Sequence, residues 1–174
     1  MVSDGEYFVA VSGYGDPTFE GIHNKSGRYA LTISLVPVPA PNTPPACSAA
    51  TATPEALWPP DRKMADVSIV GVTDPDVDPM TLTISSIFQD EPPAGLRGTD
   101  SCSDGAGVGS GTASVRASSD GAGDGRVYSI GFTAMDGSGG QCSGAVAVCV
   151  PHDRGEGETC IDQGPLFDST DCES

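Results

Sequence analysis

With 174 residues the chain is long enough for one ordinary domain and a smaller piece, and too short for two full hydrophobic cores. Its 24 acidic side chains against 8 basic ones give a formal net charge of -16, a field that repels nucleic acid and anionic membrane and attracts cations. The longest basic cluster is the Arg62-Lys63 pair beside Asp61, so no nucleic-acid partner is expected; nor does any stretch reach the roughly 18 apolar residues that membrane insertion needs.

In chain order the first elements are two alternating runs, Glu6 to Tyr14 and Arg28 to Val36, joined by a polar loop. Tyr7, Val9 and Val11 share one face of the first, and Tyr29, Leu31, Ile33 and Leu35 share one face of the second. That period predicts a β-hairpin over residues 1–36 with one apolar side, and an isolated hairpin is marginal in water, so it needs another surface to lie against. Five prolines between Pro37 and Pro45 deny both helix and ladder pairing, which makes residues 37–46 a semi-rigid linker.

Strand-like runs then recur at residues 64–72, 80–87, 111–117, 126–134 and 145–150, with Gly, Pro and Asp between them. Tyr128, Ile130, Phe132 and Ala134 alternate with Val127, Ser129, Gly131 and Thr133. Val146, Val148 and Val150 alternate with Ala145, Ala147 and Cys149, a pattern that allows both faces of that strand to be buried. No segment carries a helical period with caps. The runs predict an all-β, antiparallel sandwich over residues 47–174.

Six cysteines, none in a Cys-x-x-Cys pair, read as disulfides of an oxidising compartment rather than as zinc or redox motifs. Cys142 and Cys149 are seven positions apart and on one strand point to opposite faces, so each needs another partner. Among the fifteen connectivities that six cysteines allow, the expected set is Cys149–Cys160, because residues 150–159 can return the tail, Cys47–Cys142, and by remainder Cys102–Cys172.

Asp74, Asp76 and Asp78 stand at alternate positions before Pro79. They read either as a calcium loop, completed by Asp90, Glu91 and Asp136 if the strands bring those residues to one end, or as a turn whose carboxylates bond their own backbone. An EF-hand is excluded, since the loop glycine and distal glutamate are missing. His152 beside Asp153 lacks any motif supplying a nucleophile. Trp58, the one tryptophan, would either stack on a sugar ring or plug the open end of the sandwich. The glycine-rich runs near Gly107 and Gly121 lack a phosphate-loop ending and read as turns.

Residues 57–64 (LWPPDRKM), with DPDVDPMTLTISSIFQDEP, GDGRVYSIGFTAMDGSGGQCSG and VCVPHD, resemble a class of immunoglobulin-like domains of large secreted or surface bacterial proteins, akin to hyaline-repeat and cadherin-like modules. The resemblance spans roughly Cys47 to Thr170. GEYFVAVSGY followed by SGRYALTISL is similar to the closing strands of the bacterial pre-peptidase C-terminal domain, without that family's upstream strands. These likenesses imply an extracellular, non-catalytic accessory or adhesion module and name no ligand; the expected partner is a glycan or protein surface. Two alternatives stand beside it: a small carbohydrate-active hydrolase using paired carboxylates, and a polymer subunit whose N-terminal hairpin pairs with its own neighbour.

Overall fold

The computed structural model describes residues 40–93, 103–121, 123–152 and 160–171. The chain divides into two units, Met1–Pro41 and Asn42–Ser174, and every described strand lies in the second. The hairpin expected over residues 1–36 falls outside the described residues, as does the expected Cys102–Cys172 bond.

Among the described residues eight strands follow in order: β1 (Thr51–Thr53), β2 (Met64–Val70), β3 (Met80–Gln89), β4 (Gly105–Ala106), β5 (Ala113–Arg116), β6 (Arg126–Asp136), β7 (Gln141–Val150) and β8 (Phe167–Asp168). They make two four-stranded sheets, β1-β2-β5-β4 and β7-β6-β3-β8, in which each paired strand is antiparallel to its neighbour. The fold is an all-β antiparallel sandwich, the class the alternation predicts. Its core is the set of inward positions on that period: Val67, Ile84, Val115, Tyr128, Ile130 and Val148 have no exposed surface. Burying each such side chain stabilises by roughly 1.5–3 kcal/mol.

Two local departures from the simple period matter. The ladder between β3 and β6 shifts register between Ile84 and Ser86, and Gly131 faces the bulge. A Cβ on Gly131 would collide with the Ser86 hydroxyl and lie 2.9 Å from that of Ser85, so the bulge requires a glycine there. On β7 only one face is covered. Val146, Val148 and Val150 are buried while Ala145 and Ala147 are exposed, because the second sheet packs against the valine side and, among the described residues, no layer covers the alanine side.

Backbone bonds also join the sheets at both seams. On one side the chain pairs with β2 through Thr53 and then changes sheets at Pro54, so that Cys149 donates to the Glu55 carbonyl at 2.9 Å and accepts from Leu57 at 2.8 Å. Proline has no N–H to continue the ladder. On the other side the outer edge of β3 is occupied twice: Ile84 exchanges bonds with Gly109 and Ser110, and Ile87 accepts from Ser169 at 2.9 Å. Ser169 in turn accepts from Gly105 of β4 at 2.8 Å, linking the two sheets through one residue.

Candidate functional site

The ten residues of β3 span about 30 Å at 3.3 Å per residue, and they separate two polar ends. At the end that precedes Met80 lie the acids of the 74–78 turn and Asp136. Asp74 Oδ1 accepts from the backbone of Asp76 at 2.9 Å and of Asp78 at 3.2 Å, the bonding of an aspartate-capped turn. Asp76 Oδ2 accepts from the Thr43 amide at 2.6 Å, and Asp78 Oδ2 from the Ser138 hydroxyl at 2.9 Å. Asp136 accepts from the backbone of Ser138 and Gly140 on one oxygen and from the Asn42 amide on the other. That Asn42 bond, assisted by the backbone donors, holds the Asp136 carboxyl below its usual pKa.

Four of the six acids expected to hold calcium, Asp74, Asp76, Asp78 and Asp136, therefore share one end of the sandwich, and Glu91 lies at the other beside Arg126. Asp90 does not join them: it lies at the opposite end, accepting from Val127 at 2.8 Å and from Gln163 at 3.4 Å. Asp74 Oδ2 is buried without a hydrogen-bond partner, but one orphan oxygen is short of the six to eight that calcium takes. Among the described residues no three His, Cys, Asp or Glu side chains converge to share a metal ion. The residues present fit a capped turn better than a calcium cage.

The far end holds a buried charge network. Arg126, 2% exposed, donates through Nε to Glu91 Oε2 at 3.2 Å, through Nη1 to Asp104 Oδ2 at 2.7 Å, and through Nη2 to the Pro92 carbonyl at 3.1 Å. Asp104, 1% exposed, uses its other oxygen to accept from Arg116 Nε at 3.0 Å. Gln89 donates to Asp104 at 3.3 Å and to the Glu91 carbonyl at 2.9 Å. Tyr128 donates to the Arg116 carbonyl at 2.8 Å and accepts from Arg126 at 3.3 Å, with the guanidinium carbon 5.9 Å from its ring centre.

Burial pushes the Tyr128 hydroxyl up to about 12, against the pull of Arg126. For Arg126 burial opposes the charge, yet Tyr128, Asp104 and Glu91 outweigh it and its pKa stands above the ordinary value. Two carboxylates share one guanidinium, an arrangement that ties the loops at this end of the sandwich to β6. The sequence held one unused signal for this network: Arg126 is in phase with Tyr128, Ile130 and Phe132 and so points inward. Glu91 and Asp104 follow no strand period and carried no such sign.

No family model, curated protein or solved structure matches the chain.

Of the remaining expected positions, Leu57 rather than Trp58 enters the core: Leu57 is 6% exposed and Trp58 38%. Alternation explains it, because Leu57 is the residue bonded onto β7 and the next residue points away. His152 is exposed and Asp153 falls outside the described residues. Cys47 bonds to Cys142 across 95 residues, and Cys149 to Cys160 across 11. Cys142 shares the inner face of β7 with Val146, whereas Cys149 shares the outer face with Ala147, as a separation of seven requires. Two disulfides fit an oxidising environment outside the cytoplasm. Among the described residues no helix is long and apolar enough to cross a membrane.

Proposed function

We propose that residues 42–171 are a non-catalytic adhesion or spacer module of a secreted or cell-surface bacterial protein, immunoglobulin-like in topology. The observation that carries this reading is where the strong interactions are used. The buried cations, their two carboxylates and the Cys47–Cys142 bond hold strands and loops of the sandwich to one another, and the acids of both ends accept from its own backbone. A body tied in this way suits a load-bearing element exposed to protease and dilution.

Strand order supports the same reading. Taking the first seven strands in turn, β1-β2-β5-β4 faces β7-β6-β3, the order of the ABED and GFC sets of an immunoglobulin constant-type sandwich, with β8 added at the edge. The bond from Tyr128 near the start of β6 back to Arg116 at the end of β5 matches the tyrosine corner of that class.

The test sets module against hydrolase. The oxidised chain is incubated with a panel of bacterial and plant polysaccharides and assayed both for released reducing ends and for retention on the insoluble polymers. The expected result is no turnover by the native chain. Turnover that disappears in Glu91→Gln or Asp104→Asn, with the fold retained, would sink the proposal in favour of the hydrolase.

A further inference from the structure

The seam between β1 and β7 is closed at its ends and open in the middle. Cys47–Cys142 ties one end, and the bonds between Cys149 and residues 55 and 57 tie the other. Between them lies a groove of about 420 Å³ lined by Ala50, Ala52, Ala145, Ala147, Glu55 and Asp162, among others. In an antiparallel strand, successive residues direct their backbone N–H and C=O to alternate sides. Cys149 directs both away from β6, toward residues 55 and 57, and the β6–β7 register runs without a break from Arg126↔Val150 to Met135↔Gln141. Ala147, Ala145 and Ser143 therefore direct theirs the same way, and among the described residues no hydrogen bond reaches them from that side. The chain's own residues 51–53 do not fill the place because they pair with β2 before Pro54.

We propose that this open edge of β7 is a docking site for an extended, basic segment of a partner protein, added as a strand alongside Ser143–Ala147. The proposal rests on the reading of the chain as a binding module. Main-chain bonds to Ala145 and Ala147 supply affinity and register, and the alanine side chains leave room for branched residues in the guest. Charge selects the occupant. Glu55 and Asp162 flank the groove, the whole chain carries a formal charge of -16, and a second copy of so acidic a chain is repelled while lysine or arginine is drawn in.

The probe is a capped octapeptide alternating lysine and valine, titrated into the full-length, oxidised, isotope-labelled chain and followed by backbone amide chemical shifts. The Ala145 and Ala147 amides are expected to shift saturably. A glutamate–valine peptide should bind at least about tenfold more weakly, and a lysine–valine peptide N-methylated at alternate residues should leave those amides unmoved. Ala147→Pro removes a donor that faces away from β6, so it should abolish binding and keep the ladder. Glu55→Gln should weaken binding severalfold with an unchanged thermal midpoint, which covers the case of a misfolded proline variant. Equal affinity for acidic and basic peptides, unchanged binding in Ala147→Pro, or no saturable shift at either amide would overturn the proposal. So would sedimentation showing a self-dimer that shields the same amides. Such a failure, with no turnover of polysaccharide, leaves the module reading standing.

Discussion

Replacing Arg126 by methionine tests whether the buried network is structural. The substitution keeps the length of the side chain and removes the cation that Glu91 and Asp104 share, both within ion-pair distance and both nearly inaccessible to solvent. Asp104 still holds Arg116, whereas Glu91 Oε2 retains only the Asp120 amide at 2.8 Å and its other oxygen is already without a partner. Breaking one partner out of a buried pair costs about 3–5 kcal/mol, most of it from the orphaned charge rather than from the lost attraction. Urea denaturation of the oxidised protein at pH 7 should show a loss of that order. Adding Glu91→Gln to Arg126→Met should recover part of the stability at pH 7. A loss below about 1 kcal/mol, or no coupling to Glu91→Gln, would refute the reasoning.

Tyr128 has its hydroxyl pushed up to about 12, so the unfolded chain ionises first and stability present below pH 10 should fall by roughly 2–3 kcal/mol as pH rises toward 12. Tyr128→Phe should flatten that alkaline limb in rapid-mixing urea titrations, and an unchanged slope would contradict the assignment. Asp136 is held below its usual pKa, so its contribution is present above pH 3.8 and lost as pH falls below it; Asp136→Asn should flatten the acid limb of the same titration. Loop entropy assigns about 4–5 kcal/mol to the 95-residue Cys47–Cys142 closure and about 3 kcal/mol to the 11-residue Cys149–Cys160 closure. Paired serine variants compared by denaturation should keep that order, and a reversal would mean that native contacts outweigh chain entropy. Calcium taken up at residues 74–78 would have to compete with Thr43, Ser138 and backbone donors, so exchanging chelator for millimolar calcium should move the thermal midpoint by less than about 2 °C, with magnesium as control. A calcium-selective rise, lost in Asp76→Ala, would make the turn a metal loop.

The long strands were legible because burial on one face imposes a period of two: β2 and β5 fall within the runs expected from alternation, while β3, β6 and β7 contain theirs and run beyond them. The strands β1, β4 and β8 have two or three residues each, too few to display any period, and β8 pairs with β3, a partner far away in sequence. Parity on β7 excluded a Cys142–Cys149 bond, since those residues must face opposite ways, but it did not choose the partners; Cys47–Cys142 and Cys149–Cys160 are nevertheless the bonds formed. The acid-rich turn was visible as a row of aspartates, but whether those oxygens gather around an ion or spread over local donors depends on Asn42, Thr43 and Ser138, which no spacing rule connects to it. Asp90 was misplaced among them because ten residues of strand separate the two ends, a distance that a list of acids does not contain.

The closure of the second seam has a consequence for the order in which the molecule can form. Ile87 is made early, but its edge and that of Gly105 are satisfied only when Ser169 arrives, and Cys47 must likewise await Cys142. Contacts between such distant residues require loop closure before they return any stabilisation, which slows folding. During synthesis the first half of the chain therefore emerges with strand edges it cannot yet cover. A chain whose edges are covered only after β8 has appeared leaves those edges open to pairing with other chains until then.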